Sequence, residues 1–213
     1  MFVKNSNIKE LIIDGVSEKD EMGMAEAFNG FFTSVGSQIH ATISSNNSMQ
    51  MKFSNPNSFF LEPVSPKEIH RIILSLNNTK SHIDHMPVSV LKSCSEFICT
   101  PLSILINESF NKGVFPDILK NARVTPVFKG GDAGSINNYR PISILSPYSK
   151  IFERAFLHRL IKFITKYELI SPNQYGFMKG RSTCDALLGF MENIYENLNN
   201  RNINIAIYLD LSL

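Results

Sequence analysis

The stretch Ala122 to Ser146, ARVTPVFKGGDAGSINNYRPISILS, constrains the fold of this chain more than any other. It holds two β-prone runs, Arg123 to Phe128 and Pro141 to Leu145. A polar segment rich in Gly, Ser and Asn separates them, which is turn material. The pattern predicts a hairpin. Lys129 stands where the first run ends and Arg140 just before the second begins, so the hairpin would bring two cations to one end of a ribbon. Lys as a point charge and Arg as a planar fork suit a phosphate chain. A surface hairpin with solvated charges explains the same residues equally well on this stretch alone.

The surrounding chain is of ordinary globular composition, with 43% apolar and 19% charged residues. At 213 residues it can bury a substantial core, as one large domain or two small ones. Its formal net charge of +2 hides a segregation. Residues 113–182 hold 11 Lys/Arg against 4 Asp/Glu, whereas 1–112 hold 9 against 11 and 183–213 hold 1 against 4. A basic middle between acidic ends suits a polyanionic ligand, and also serves solubility on helix surfaces.

Other function classes are disfavoured. Cys94, Cys99 and Cys184 form no CxxC pair and read as reduced intracellular thiols. His82 and His85 flank Asp84, but nothing nearby completes a coordination sphere, so a turn is expected there. Met1 to Gly15 lacks the order of a secretory leader, and no run approaches the ~20 apolar residues of a membrane span. The expectation is a soluble protein of the nucleus or cytoplasm, without a membrane partner.

Helix signals recur along the chain. Ser17 with Asp20 three positions on predicts a helix start, followed by Met24, Phe28, Phe31, Phe32, Val35 and Ile39 on one face. Residues 44–62 read as a Ser/Asn-rich loop. Ser65-Pro66-Lys67-Glu68 is a capped start with Glu68 reaching back to the cap amide, and Ile69, Ile72, Ile73 and Leu76 form the stripe behind it. Val88 to Leu91 opens a short helix. Thr100-Pro101 is expected to cap a further one carrying Leu102, Leu105, Ile106 and Phe110, with Gly113 at its end. Ser146-Pro147 caps a long helix with Ile151, Phe152, Ala155, Phe156, Leu160, Phe163 and Ile164 inward. On that helix Lys150, Arg154, Arg159, Lys162 and Lys166 are expected to project from the other faces. After a Gly-punctuated loop, Ser171 to Thr183, a last helix is expected to bury Leu187, Phe190, Met191, Ile194, Tyr195 and Leu198. Finally Ile203, Ile205, Ile207 and Leu209 alternate with Asn204, Ala206, Tyr208 and Asp210, which predicts a strand ending on a carboxylate. Such a carboxylate can ligate magnesium, or simply terminate the strand.

Taken together, these pieces resemble the reverse transcriptase of non-LTR retrotransposons, particularly the jockey-like elements. The residues that carry the resemblance include Leu119 to Lys129, Gly131-Asp132, Asn138-Tyr139-Arg140-Pro141-Ile142-Ser143 and Ser149-Lys150-Ile151-Phe152-Glu153. The series continues through Arg159-Leu160, Gln174-Tyr175-Gly176-Phe177, Arg181-Ser182-Thr183 and Asp185-Ala186-Leu187 to Leu209-Asp210-Leu211-Ser212. Upstream, Phe28 to Phe32, Lys80-Ser81 and Asn107 to Phe110 are similar to the region before that family's polymerase core.

The resemblance implies an α+β fold: right-hand polymerase fingers and the first palm strand in residues 113–213, after a mostly helical N-terminal extension in 1–112. It implies an RNA template, a DNA primer and deoxynucleoside triphosphates as partners. It further implies phosphoryl transfer run by two Mg2+ ions about 4 Å apart. By position Asp210 matches the first metal-binding and catalytic carboxylate, and Leu211 and Ser212 the turn whose amides face the nucleotide phosphates. Lys129 and Arg140 match cations that grip the triphosphate. Gln174, Gly176 and Arg181 match a loop over the template, where small residues admit nucleic acid.

The chain also departs from the family pattern. Met178 stands where the family has Arg, and His82 where it has Gly. The aromatic-x-Asp-Asp hairpin with the other metal ligands is absent, and one carboxylate cannot hold two Mg2+ ions. The expectation is therefore a piece of an RNA-directed DNA polymerase that is inactive as these 213 residues. The alternatives are a non-catalytic RNA- or DNA-binding module kept for its basic surface, and a helical interaction domain without a ligand.

Overall fold

The computed structural model describes residues 8–13, 15–42, 56–78 and 86–209. Helices and strands are mixed, and the chain forms two compact units, Met1–Arg159 and Leu160–Leu213, each described by itself.

In the first unit a small ribbon opens the described chain. Strand β1 (Leu11–Ile13) pairs antiparallel with β2 (Val16–Glu18), with Gly15 in the turn at φ +82°, a backbone region that favours glycine. Helix α1 (Glu21–Thr42) follows. The helix expected from Ser17 thus starts one turn later, because Ser17 is paired with Ile12 in the ribbon. Asp20 takes over the capping: its carboxylate accepts from the Gly23 amide at 2.9 Å, and Glu18 accepts from the Asp20 amide at 2.9 Å. On the expected face Met24 and Phe28 are buried, while Phe31, Phe32, Val35 and Ile39 are half-buried.

Four helices build the main core. Helix α2 (Pro66–Leu74) is capped by Ser65, whose hydroxyl accepts from the Glu68 amide at 3.2 Å, with Pro66 at its first position. Helices α3 (Val88–Ser93) and α4 (Ser95–Lys112) share Cys94 as a junction. Ile69, Ile73, Ile106, Ile151 and Ala155 are fully buried, and Val64, Ile72, Leu76, Val88, Leu91, Leu102 and Phe152 complete the cluster. Each such side chain contributes roughly 1.5–3 kcal/mol against exposure.

Helix α4 begins more than a turn before Thr100-Pro101, which lie inside it. Ile98, Leu102 and Ile106 recur at intervals of four and pack on the core, and that packing outweighs the hydrogen bond missing at Pro101. Leu105, expected inward, is exposed. Gly113 ends the helix at φ +63°, as the sequence predicts.

After a 3-10 turn (Asp117–Lys120), strands β3 (Ala122–Phe128) and β4 (Tyr139–Leu145) form the expected hairpin. Phe128 faces Tyr139, Val127 faces Arg140, and Pro126 faces Pro141 in mid-ribbon. Helix α5 (Pro147–Lys166) starts at once, with the Ser146 hydroxyl accepting from the Tyr148 amide at 3.2 Å. Ser149 donates to the Leu119 carbonyl at 2.7 Å and fixes the helix to the segment that leads into β3. Along α5, Ile151, Phe152 and Ala155 are buried as expected, whereas Phe156 is exposed and Leu160, Phe163 and Ile164 are half-buried.

The second unit departs further from expectation. Helix α6 (Thr183–Asn199) buries none of its residues; Leu187, Tyr195 and Leu198 are exposed, and Met191 and Ile194 are half-buried. A helix stripe is buried only where another layer lies against it, and the described part of this unit supplies none. Residues 203–209 form no strand, and Ile203, Ile205, Ile207 and Leu209 are all exposed. Their alternation encodes two faces, but a strand also needs a neighbouring ladder, and they pair with none among the described residues.

Candidate nucleic-acid interface

The two cations at the tip of the ribbon are set by the register. In an antiparallel pair, opposed residues point to the same face and the side alternates along each strand. Arg140 faces Val127, so it shares a face with Arg123, Thr125, Val127, Ile142 and Ile144. The ladder runs one step past β3, because the Lys129 amide donates to the Asn138 carbonyl at 2.8 Å. Lys129 is therefore the next residue on that face and a diagonal neighbour of Arg140, at the ~7–8 Å typical of such positions. Both are exposed. Arg123, which the sequence reading passed over, is exposed on the same face; counting in twos from Lys129 would have found it.

The opposite face carries Ala122, Val124, Pro126, Pro141 and Ser143. It lines a groove of about 860 Å³ with Met24, Phe28 and Phe32 of α1. This face is packed at its Phe128 and Tyr139 end and lines the groove beyond it, while Arg123, Lys129 and Arg140 are exposed on the other.

The turn of the hairpin is closed from within. Gly130 and Gly131 have φ of +118° and +91°, which only glycine adopts freely. Asp132 accepts from the Gly134 amide at 2.9 Å, and the Asn138 side chain donates to the Asp132 carbonyl at 2.9 Å. Tyr139 is buried against Phe28 and Phe128, and its hydroxyl donates to the Ala133 carbonyl at 2.7 Å. Burial, with a contribution from the charge of Asp132, raises the Tyr139 phenol above its ordinary value. Outside the hairpin, the Ile12 amide donates to the Gly134 carbonyl at 2.8 Å, which ties the turn to β1.

In the second unit, Gln174, Gly176 and Arg181 come together in one loop. The Arg181 guanidinium donates to the carbonyls of Pro172 and of Gln174, the latter at 2.9 Å, and lies 5.3 Å from the centre of the Tyr175 ring. The Gln174 amide donates to the Gly176 carbonyl at 2.9 Å. Tyr175 is a positioning residue that sequence reasoning missed, because its partner is a missing side chain. A Cβ at Gly189 of α6 would stand 2.8 Å from the Tyr175 hydroxyl, so glycine there admits the ring. The loop ends in a reciprocal cap: Ser182 accepts from the Asp185 amide at 3.2 Å, and Asp185 accepts from the Ser182 amide at 2.7 Å. The Ser182 hydrogen bonds hold the Asp185 carboxyl below its ordinary value.

Arg159 is the clearest correction on α5. Expected among the projecting cations, it is 8% exposed and lies over the Phe110 ring. Its Nη1 and Nη2 donate to the two Glu68 oxygens at 2.9 and 3.1 Å. The remaining donors go to the carbonyls of Glu62, Pro63 and Ala155, so all five N–H groups are used. Glu68 is consequently drawn to Arg159 rather than back to its own cap amide.

Asp210, Leu211 and Ser212 lie outside the described residues, as do Lys80, His82, Asp84 and His85. Among the described residues no three His, Cys, Asp or Glu side chains gather to hold a metal ion, and no helix is long and apolar enough to cross a membrane.

Residues 127–212 match the family described as reverse transcriptase (RNA-dependent DNA polymerase). In Drosophila melanogaster, the protein named Probable RNA-directed DNA polymerase from transposon BS is 29% identical over 71% of this chain and 17% of its own length. The like-named protein of transposon X-element is 24% identical over 92% of this chain and 21% of its own length. The RNA-directed DNA polymerase from mobile element jockey is 28% identical over 52% of this chain and 12% of its own length. The chain thus spans about a fifth or less of these relatives.

Residues 127–212, which include β4, α5, α6, Lys129 and Arg140, are thus similar to reverse transcriptases. Within that class the similarity is to the polymerases of non-LTR elements, mobile element jockey among them.

Proposed function

We propose that this chain is the part of an RNA-directed DNA polymerase that grips template and incoming nucleotide. Residues 1–112 are then a helical N-terminal extension, and 113–213 the fingers and the start of the palm of a right-hand polymerase. The observation that carries this reading is the placing of Lys129 and Arg140 as outward diagonal neighbours on one hairpin, inside the reverse-transcriptase match.

The partners are an RNA template, a DNA primer and deoxynucleoside triphosphates. Lys129 supplies a point charge and Arg140 a planar fork to the triphosphate. The ladder and the closed turn hold the backbones of both, so their side chains alone remain to be ordered when the phosphates arrive. Gln174, Gly176 and Arg181 meet the template. A Cβ at Gly176 would meet only the Gln174 side-chain nitrogen, at 3.8 Å, so nothing else in the loop crowds that point. A divalent ion, magnesium in this reading, neutralises the phosphates when bound. Asp210 would be its first ligand, and the amides of Leu211 and Ser212 would face the nucleotide.

The test is RNA binding by the full chain as a function of salt. Lys129→Ala/Arg140→Ala should flatten the dependence of log K on log salt by roughly 0.7 per lost phosphate contact on a single strand. Undiminished binding with an unchanged slope would sink the proposal. A second reading, a binding module without catalysis, is favoured by a cationic face that does not depend on Asp210. Primer extension on an RNA template with magnesium separates the two: sustained template-dependent synthesis by this chain would exclude it.

A further inference from the structure

The first unit holds a second concentration of donors, away from the hairpin. Helices α2 and α5 lie antiparallel, as their contacts require: Ser75 at the end of α2 meets Arg154, and Glu68 near its start meets His158 and Arg159. Between them is a cleft of about 360 Å³ lined by Glu68, Arg71, Ile72, Ser75 and His158. Arg154 reaches its edge, donating to the Ser75 hydroxyl at 2.6 Å.

On one wall Arg71 and Ser75 stand four apart; on the other, Arg154 and His158 do the same. Residues at that spacing share a helix side. Each wall therefore presents a pair about 6 Å apart along its helix, from 1.5 Å per residue. The only carboxylate in the lining, Glu68, has both oxygens on the Arg159 guanidinium, so its charge is matched before any ligand enters. The cleft is left with two guanidinium groups, a hydroxyl and an imidazole.

We propose that this cleft binds the phosphodiester backbone of a single-stranded nucleic acid, as a contact additional to the hairpin and the Gln174 loop. Forked guanidinium donors fit phosphate oxygens. Two such pairs, on facing helices, suit adjacent backbone phosphates better than one free anion. The proposal rests on the nucleic-acid reading above, but its residues on α2 lie outside the segment that matches reverse transcriptases.

The experiment uses a short fluorescein-labelled single-stranded RNA and the full chain, with anisotropy read across a salt series. Arg71→Ala/Arg154→Ala should lower the salt slope by roughly 1.4 for two lost contacts, while Arg71→Lys/Arg154→Lys keeps most of it. Arg71→Ala alone carries the test if the double variant melts early, since its recorded hydrogen bond is a 3.4 Å one to the Lys67 carbonyl. A wild-type slope in the alanine variants, with Lys129→Ala/Arg140→Ala still reducing it, overturns the cleft and leaves the hairpin reading intact. If the unaltered chain binds no RNA at low salt, the broader reading fails. The cleft is then tested with inorganic phosphate against the His158 imidazole resonances. A saturable shift that Arg71→Ala removes upholds an anion site; a shift that does not saturate overturns it.

Discussion

Glu68 and Arg159 close a two-pronged ion pair, at 2.9 and 3.1 Å, across 91 residues of sequence. Arg159 belongs to the segment that matches reverse transcriptases, whereas Glu62, Pro63, Glu68 and Phe110, which surround it, all precede that segment. The helices before the matched segment are thus part of its packing. A chain starting at residue 113 would leave a buried guanidinium with most of its partners gone.

Removing that guanidinium has a large expected cost. Arg159→Ala leaves Glu68 without its counter-charge and takes the guanidinium donors from the Glu62 and Pro63 carbonyls, and breaking such a pair costs about 3 kcal/mol or more. Urea denaturation of the full chain should show the midpoint fall with the slope unchanged. A loss within the scatter of surface substitutions would show that the pair contributes little.

The same pair predicts a pH dependence. The Arg159 hydrogen bonds hold the Glu68 carboxyl below its ordinary value of 4.5, against the opposing effect of burial. His158, 3.5 Å away, adds to the lowering. A depressed carboxylate stabilises the fold above its unfolded value, and that contribution fades as pH falls from about 4.5 through the depressed value. Glu68→Gln should melt earlier at neutral pH and lose this share of the acid limb. Parallel melting-temperature curves for the two proteins would contradict the assignment.

The Gln174 loop offers a two-residue test. Gly189→Ala puts a methyl group 2.8 Å from the Tyr175 hydroxyl, which must then move from beneath Arg181. Overpacking of this sort costs on the order of 1 kcal/mol. Trypsin should cut faster at Lys179 and Arg181 in this variant. Adding Tyr175→Phe removes the clashing oxygen and leaves the ring carbon 3.8 Å away, so it should restore resistance. If the second change fails to rescue, the contact is not what holds the loop.

What could be read from the sequence was whatever is encoded locally. The hairpin, the cap at Ser65 and the end at Gly113 follow from turn and cap chemistry within a few residues. Ile69, Ile72 and Ile73 followed from helical spacing. Arg159 was missed because a charged residue on a helix says nothing of carbonyls more than ninety residues away that can absorb it. Residues 203–209 and α6 show the converse: their patterns name a face and leave its partner unspecified. For the site, the cations were legible as a pair, but Arg123, Tyr175 and Gly189 needed register and space, which spacing alone does not encode.

Pro126 and Pro141 face each other along the hairpin, three steps before the last bonded pair, Lys129 and Asn138. The bonded pairing of Lys129 with Asn138 makes that of Val127 with Arg140 bonded too, and puts the two prolines in the wide, unbonded ring between. Their missing N–H groups therefore face outward, one on each edge of the ribbon. A two-stranded ribbon has no interior strand, and either edge could otherwise seed the addition of a foreign chain. This one is gated on both sides at the same level, so it can stand clear of other strands.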